Sequence, residues 1–291
     1  MGLIKKFLAK LNLIFKDIKL AHSVFALPFA LLSAFLAKQG IPGAREFLWI
    51  LVAMVSARSG AMATNRLLDA EIDARNPRTK DRALPSGKLK KTEMLAFILL
   101  SYALFIFSAY QLNWLCFILS PLAVAWISFY SLTKRFTRLS HFVLGASLAM
   151  APMGAWLAIK PRFELVPILL SLAVVFWVAG FDILYSFQDI EVDRSQGLYS
   201  IPRFLGIKKS LWLARALHFF SFVFLFGIYF LVKVHWLYLA GVGLAGVLFI
   251  YEHSLVKPDD LSRLDLAFFN INGWISVSIF VFGAISVVVA K

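Results

Sequence analysis

Long apolar runs separated by short polar breaks set the pattern of this chain from end to end. A helix crosses the roughly 30 Å hydrocarbon core of a bilayer with about 20 residues. Runs of that order lie at about 21–38, 47–67, 93–110, 112–132, 141–159, 165–188, 211–232, 234–252 and 264–290. They are apolar around the whole helix rather than along one stripe, the pattern of segments that sit in lipid or in a bundle. The pattern predicts an all-α membrane protein, a bundle of nine transmembrane helices. Residues 1–20 differ, because lysines alternate with Leu, Ile and Phe at helical intervals in GLIKKFLAKLNLIFKDIKL. An interfacial amphipathic helix reads this way, and no A-x-A-like cleavage site of a signal peptide follows it.

Composition agrees with the pattern. Of 291 residues, 60% are hydrophobic and 16% charged, against about 45–50% and about 25% in soluble domains. The whole chain, 1–291, reads as a single transmembrane domain. The net charge of +14 would suggest nucleic acid in a soluble protein, but here its placement matters more than its sum. With the N-terminus inside, only Lys38, Arg45, Lys160, Arg162, Lys233 and Lys291 fall outside, and Arg58 lies within a span. Lys- and Arg-rich loops stay cytoplasmic, so the N-terminus is placed inside, the C-terminus outside, and nucleic acid is not a partner. The single cysteine, Cys116, excludes an intramolecular disulfide and reads as packing.

Acidic residues crowd the same side: of sixteen, only Glu46 and Glu164 map to the outer face. Asn65, Asp69 and Asp73 stand at i, i+4 and i+8, one face of a helix. Tyr185, Asp189 and Asp193 repeat that spacing later in the chain, with Asp182 one turn earlier. Both sets end an even-numbered span and run into a basic loop containing Gly and Pro, so the chain reads as two four-helix units plus a ninth helix. Two acidic helix ends facing each other need cations. Hard divalent ions, chiefly Mg²⁺, bridge one or two carboxylates to a phosphorylated substrate. Arg75, Arg78, Lys80 and Arg82, with Lys134 and Arg135 of YSLTKRFT, are donors suited to phosphate oxygens. Together these residues spell a diphosphate site.

The stretches NRLLDAEID and DILYSFQDIEVD resemble the two aspartate-rich motifs of the UbiA superfamily of intramembrane prenyltransferases, N-D-x2-D-x3-D and D-x2-Y-x3-D-x3-D. NPRTKDRALPSG, YSLTKR and FFNINGW extend the likeness over almost the whole chain, while Arg66 stands where the family most often has Asp. The resemblance implies a nine-helix bundle around a cavity open sideways to lipid. It implies that Asn65, Asp69, Asp73, Asp182, Asp189 and Asp193 bind Mg²⁺, the catalytic share falling to Asp69, Asp73, Asp189 and Asp193. Polyprenyl diphosphate would be held by Arg78, Arg82, Lys134 and Arg135, with Tyr185 beside it. Ionisation would give an allylic cation that an electron-rich ring attacks. Arg58 lies about two turns, or roughly 10 Å, deeper than Asn65 on nearly the same face, the spacing at which relatives acting on hydroxybenzoate hold the acceptor carboxylate. ARSGAMATNRLLD and GLYSIPRFLG look most like bacterial 4-hydroxybenzoate polyprenyltransferases and enzymes that prenylate a dihydroxynaphthoate on the way to menaquinone.

Other readings account for less. The five histidines, His22, His141, His218, His235 and His253, stand singly near span ends and read as interfacial packing, and Asn270 and Asn272 face either the cavity or a neighbouring helix. CDP-alcohol phosphotransferases also use acidic membrane helices, but their D-x2-D-G-x2-A-R pattern is missing from this sequence. A transporter would place its site at the midplane, not at one face.

Overall fold

In the computed structural model, residues 3–19 and 25–290 are described; His22 falls outside them. The chain folds into α1 (Leu3–Asp17), α2 (Leu27–Lys38), α3 (Ala44–Leu68), α4 (Ala70–Arg75), α5 (Lys91–Leu112), α6 (Trp114–Thr133), α7 (Ser140–Ile159), α8 (Leu165–Tyr185), α9 (Ile190–Ser195), α10 (Ile201–Ile228), α11 (Leu237–Leu255) and α12 (Asn272–Val289). A 3-10 turn, Ser186–Asp189, joins α8 to α9, and a π-turn, Leu266–Ile271, leads into α12. Among the described residues, eight helices are long and apolar enough to cross a membrane, and α2 is a shorter apolar helix. These nine correspond one to one with the nine predicted spans.

The two halves share a local construction. α3 stops at Asp69 (φ −94°, ψ 5°) and the six-residue α4 follows; the α8 segment stops at Asp189 (φ −106°, ψ 2°) and the six-residue α9 follows. Each break turns the second half of an acidic motif away from the long helix that carries the first. α10 begins ten residues before its expected start: Pro202 sits in its first turn, where a missing N–H costs nothing, and Gly206 at φ 73° kinks the helix after that short opening segment.

α8 is the central helix. It buries Leu170, Val174, Trp177, Val178 and Ile183 among α7, α10 and α2. Small residues permit this approach: a Cβ at Gly145 of α7 would lie 2.5 Å from the Val175 carbonyl oxygen, and one at Gly180 would lie 2.4 Å from the His218 ring. Large apolar side chains such as Leu100, Trp114, Phe230 and Ile250 are exposed around the bundle, a surface suited to lipid rather than water.

α1 packs against the end of the bundle that carries both acidic motifs. Ile14 and Ile18 are buried there while Leu8 is 56% exposed, so the helix has one face on protein and one free. Lys10 pairs with Glu93 and Phe15 meets Phe97 edge to face. Its C-terminal carbonyls, the negative end of the helix dipole, accept hydrogen bonds from two α3 arginines. Arg58 donates to Ile18 (3.4 Å) and Lys19 (3.2 Å), and Arg66 donates to Asp17 (3.3 Å).

Candidate active site

Asp69, Asp73 and Asp189, gathered at this end, are each engaged by a base. Asp69, only 2% exposed, accepts from Lys134 Nζ at 2.6 Å and from Asn65 Nδ2 at 2.9 Å, with Arg135 at 3.5 Å. Arg82 Nη1 reaches both oxygens of Asp73, at 2.7 and 2.8 Å. Asp189 receives the fork of Arg78, Nη2 at 2.7 Å and Nε at 3.3 Å, together with Asn76 Nδ2 at 3.1 Å. Arg78 and Asn76 follow the first motif and Asp189 belongs to the second, so these bonds tie the two halves of the chain together. Burial opposes the charge on Arg78, but the charge and hydrogen bonds of Asp189 outweigh it and raise the arginine's pKa.

The loop folds to allow this. Asn76-Pro77 is a turn-initiating pair: Asn76 Oδ1 accepts the Arg78 N–H at 2.9 Å, and Thr79 Oγ1 donates to the Asp73 carbonyl at 3.0 Å. Tyr185 lies on the other side of Arg78, its hydroxyl 3.5 Å from Nη1 and its ring 5.6 Å below the guanidinium. Lys19 also belongs to this cluster. Its pKa is lowered, first by burial and then by the charges of Arg66, Arg82 and Arg78; the cations here outrun their anions locally, as an anion site requires.

Not every expected residue joins the group as anticipated. Asp182 is engaged not by an arginine or lysine but by His141, whose Nδ1 lies 2.7 Å away and whose Nε2 accepts the Ile201 N–H at 3.3 Å. Nε2 is thus the acceptor and Nδ1 carries the proton. His141 is 3% exposed, which corrects the interfacial reading. Nothing local in the sequence pairs it with Asp182, so only the fold reveals it. Asn65 Oδ1 accepts from Arg66 at 3.0 Å, so the oxygen expected to face a metal is occupied by the residue that departs from the family pattern. Asp193 is half-buried at the same end.

Beside the ion pairs opens a cavity of about 590 Å³. Asn65, Arg66, Arg78, Arg82, Asp182 and Tyr185 line its polar end, and Arg58 lies deeper. Beyond them the walls are apolar, down to Ile50, Leu112 and Leu157; from Asn65 to Ile50 along α3 is roughly 22 Å at 1.5 Å per residue. Leu122, 65% exposed on α6, is among the lining residues, so the cavity reaches the outer surface of the bundle. Cys116 also lines it, beyond its expected packing role. Phe268 and Phe269 form an aromatic wall next to Tyr185: Phe268 stacks on the tyrosine with centroids 3.9 Å apart, and Phe269 meets it edge to face at 5.7 Å. Neither ring stands out in so Phe-rich a sequence.

The structure aligns with a UbiA homolog from Aeropyrum pernix K1 at a TM-score of 0.82 and 31% identity, covering 90% of this chain and 97% of that one. It also aligns with a UbiA homolog from Archaeoglobus fulgidus bound to DMAPP and Mg²⁺, TM-score 0.71 and 19% identity, covering 94% and 98%. In sequence it is 29% identical over 247 residues to a 4-hydroxybenzoate octaprenyltransferase of Methylobacillus flagellatus, 84% of this chain and 82% of that one. A second enzyme of that name, from Yersinia enterocolitica, is 28% identical over 250 residues, 84% of each chain. The model of the UbiA prenyltransferase family matches residues 26–274, a range that holds both acidic motifs, the basic loop between them and the aromatic wall, and the chain belongs to that family.

Proposed function

We propose that the protein transfers a polyprenyl group from polyprenyl diphosphate to the ring of an aromatic carboxylate, 4-hydroxybenzoate, with Mg²⁺ as cofactor, in respiratory quinone biosynthesis. The observation that carries this reading is the join between the two motifs, Arg78 and Asn76 on Asp189, placed at the mouth of an apolar cavity long enough for an isoprenoid tail. A tail longer than the cavity leaves sideways past Leu122 into lipid.

The donor set suits Mg²⁺: hard carboxylate oxygens, one of which, Asp69 Oδ1, is buried with no hydrogen-bond donor. Among the described residues no three acidic, His or Cys side chains are grouped around one point, which fits an ion shared between one or two carboxylates and the oxygens of a diphosphate. Asp69, Asp73, Asp189 and Asp193, with Asp182, would supply the carboxylates for one or two such ions, while the Asn65 oxygen is taken by Arg66. Bound there, Mg²⁺ supplies positive charge to the leaving diphosphate.

The residues of the chain do the rest. Arg78, Arg82, Lys134 and Arg135 bind the diphosphate and take up the charge that grows as the C–O bond breaks. The apolar walls keep water from the allylic cation, and the faces of Tyr185, Phe268 and Phe269 favour positive charge. A ring carbon of the acceptor attacks the cation and loses its proton. Arg58 retains N–H groups beyond those used on α1 and, deeper in the cavity, orients the acceptor carboxylate.

The test is incubation of membranes holding the protein with Mg²⁺, labelled prenyl diphosphates and a panel of aromatic carboxylates, with mass analysis of the lipid products. A prenylated hydroxybenzoate is expected. A prenylated dihydroxynaphthoate alone would move the acceptor to the other branch, and no product with any acceptor would overturn the reading.

Two further outcomes follow from the geometry. Diphosphate affinity should fall as pH rises through the lowered pKa of Lys19, because an anion bound among Lys19, Arg66, Arg78 and Arg82 favours the ammonium and binding takes up a proton. Titration calorimetry in buffers of different ionisation enthalpy reads that uptake, and Lys19→Met should remove it. The distribution of Lys and Arg supports a site at the cytoplasmic face of a bacterial inner membrane with the C-terminus outside. In a Cys116→Ser background, cysteines at exposed Ser86 and Ser195 should be labelled from the cytoplasm and one at Gly43 from outside. Labelling in the reverse sense would invert the orientation.

A further inference from the structure

Away from the ion pairs, the second half of the bundle hides a polar network that the chemistry above does not use. Asn272, at the start of α12, and Glu252 of α11 are both 0% exposed, as is Trp177 of α8. Asn272 Oδ1 accepts from Trp177 Nε1 at 2.5 Å, and its Nδ2 donates to Glu252 Oε1 at 2.7 Å. The same Nδ2 lies 3.1 Å from the Ala267 carbonyl and 3.2 Å from that of Phe268. Behind Glu252, His218 and His253 contact each other at 3.0 Å, and His218 Nε2 is 3.2 Å from the Trp177 carbonyl. This pairing in space corrects the reading of both histidines as single interfacial residues. Asn272 faces no part of the cavity.

The two carbonyls that Asn272 reaches are those of the π-turn. A π-turn adds one residue to the helical progression and so rotates what precedes it by about 100° relative to a continuous α-helix. What precedes α12 here is Phe268 and Phe269, the wall that stacks on Tyr185 and lies against Phe181 and Phe25. A tighter α-helical turn would carry those rings off the tyrosine. We propose that Asn272, anchored by Glu252 and Trp177, is a positioning residue: it fixes the π-turn in the shape that sets Phe268 and Phe269 as the aromatic wall of the reaction chamber. A packing role needs no carboxylate, whereas an amide that must hold two backbone carbonyls open needs a strong acceptor on one side and a donor on the other to fix its rotamer. Glu252 and Trp177 supply them.

A loose wall admits water to the cation, so the diagnostic readout is how prenyl diphosphate divides between transfer and hydrolysis; this readout rests on the function proposed above. Asn272→Ala should raise the share of prenyl alcohol about fivefold or more while KM for the prenyl diphosphate stays within about twofold. Glu252→Ala should do the same, and Glu252→Gln, which keeps an acceptor oxygen for Asn272, should restore the wild-type partition. A second readout does not depend on turnover. With Phe269→Cys in a Cys116→Ser background, Asn272→Ala should change the rate of maleimide labelling about fivefold or more, because the turn that carries position 269 moves. If Asn272→Ala does not fold, Trp177→Phe, which removes one donor to the amide, is read in the same two ways. A folded variant with unchanged partition and unchanged labelling overturns the proposal, and so does an equal loss of transfer and hydrolysis with unchanged labelling. A wild-type protein that forms no prenylated product defeats the proposed function instead, and the labelling comparison then decides this inference alone.

Discussion

Asp189→Asn is expected to lose turnover by about three orders of magnitude or more, and Asp69→Asn to match it. Asp189 is the residue at which the halves meet, gripped by Arg78 and Asn76 across the join. Its neutral variant removes both a site for a divalent cation and the partner that aligns Arg78 with the diphosphate. Asp69 is nearly inaccessible and lies against Lys134 and Arg135, so the asparagine leaves two cations facing a weaker acceptor. EDTA should abolish wild-type activity, and Mg²⁺ should restore it. Product formation and thermal unfolding are measured together, because losing one partner of a buried ion pair also destabilises the fold. Retained turnover in either variant, with activity resistant to EDTA, would defeat the two-motif site.

Arg58→Ala and Arg78→Ala should fail in opposite directions. Arg58→Ala is expected to weaken acceptor binding by about 1.5–3 kcal/mol, roughly ten- to a hundredfold in KM, with KM for the prenyl diphosphate little changed. Arg78→Ala should raise KM for the diphosphate and lower kcat, since its fork serves the leaving group. Steady-state kinetics with each substrate varied in turn separates the two. Arg58 also bonds the carbonyls of Ile18 and Lys19, so the variant loosens α1. Equal effects on both substrates would assign Arg58 to holding α1 rather than to the acceptor.

Much of this was legible in the sequence for a simple reason: a span and a metal-binding face are both local patterns. Hydrophobic runs located all nine apolar helices, most within a few residues. The four-residue spacing of Asp69 with Asp73, and of Asp189 with Asp193, found both acidic ends, although spacing alone implied continuous helices where the chain breaks at Asp69 and Asp189. The same logic missed the first ten residues of α10, because Pro202 and Gly206 signal a stop where the helix in fact begins and kinks. Pairings that close only in space left no periodic trace. His141 with Asp182, Arg58 with the end of α1, and Asn272 with Glu252 join residues on different helices. No spacing within the sequence joins any of these side chains to its partner.

The network around Glu252 also bears on how the chain is made. Its carboxylate enters the bilayer with α11, yet the nearest strong donor in the structure, the amide of Asn272, arrives with the last helix. Until then its carboxyl group lies in an apolar environment with His218 3.5 Å away, a position that membrane insertion disfavours. A chain truncated before α12, which lacks Asn272, should therefore leave α11 poorly seated and open to intramembrane degradation, read as a shorter half-life than that of the full chain.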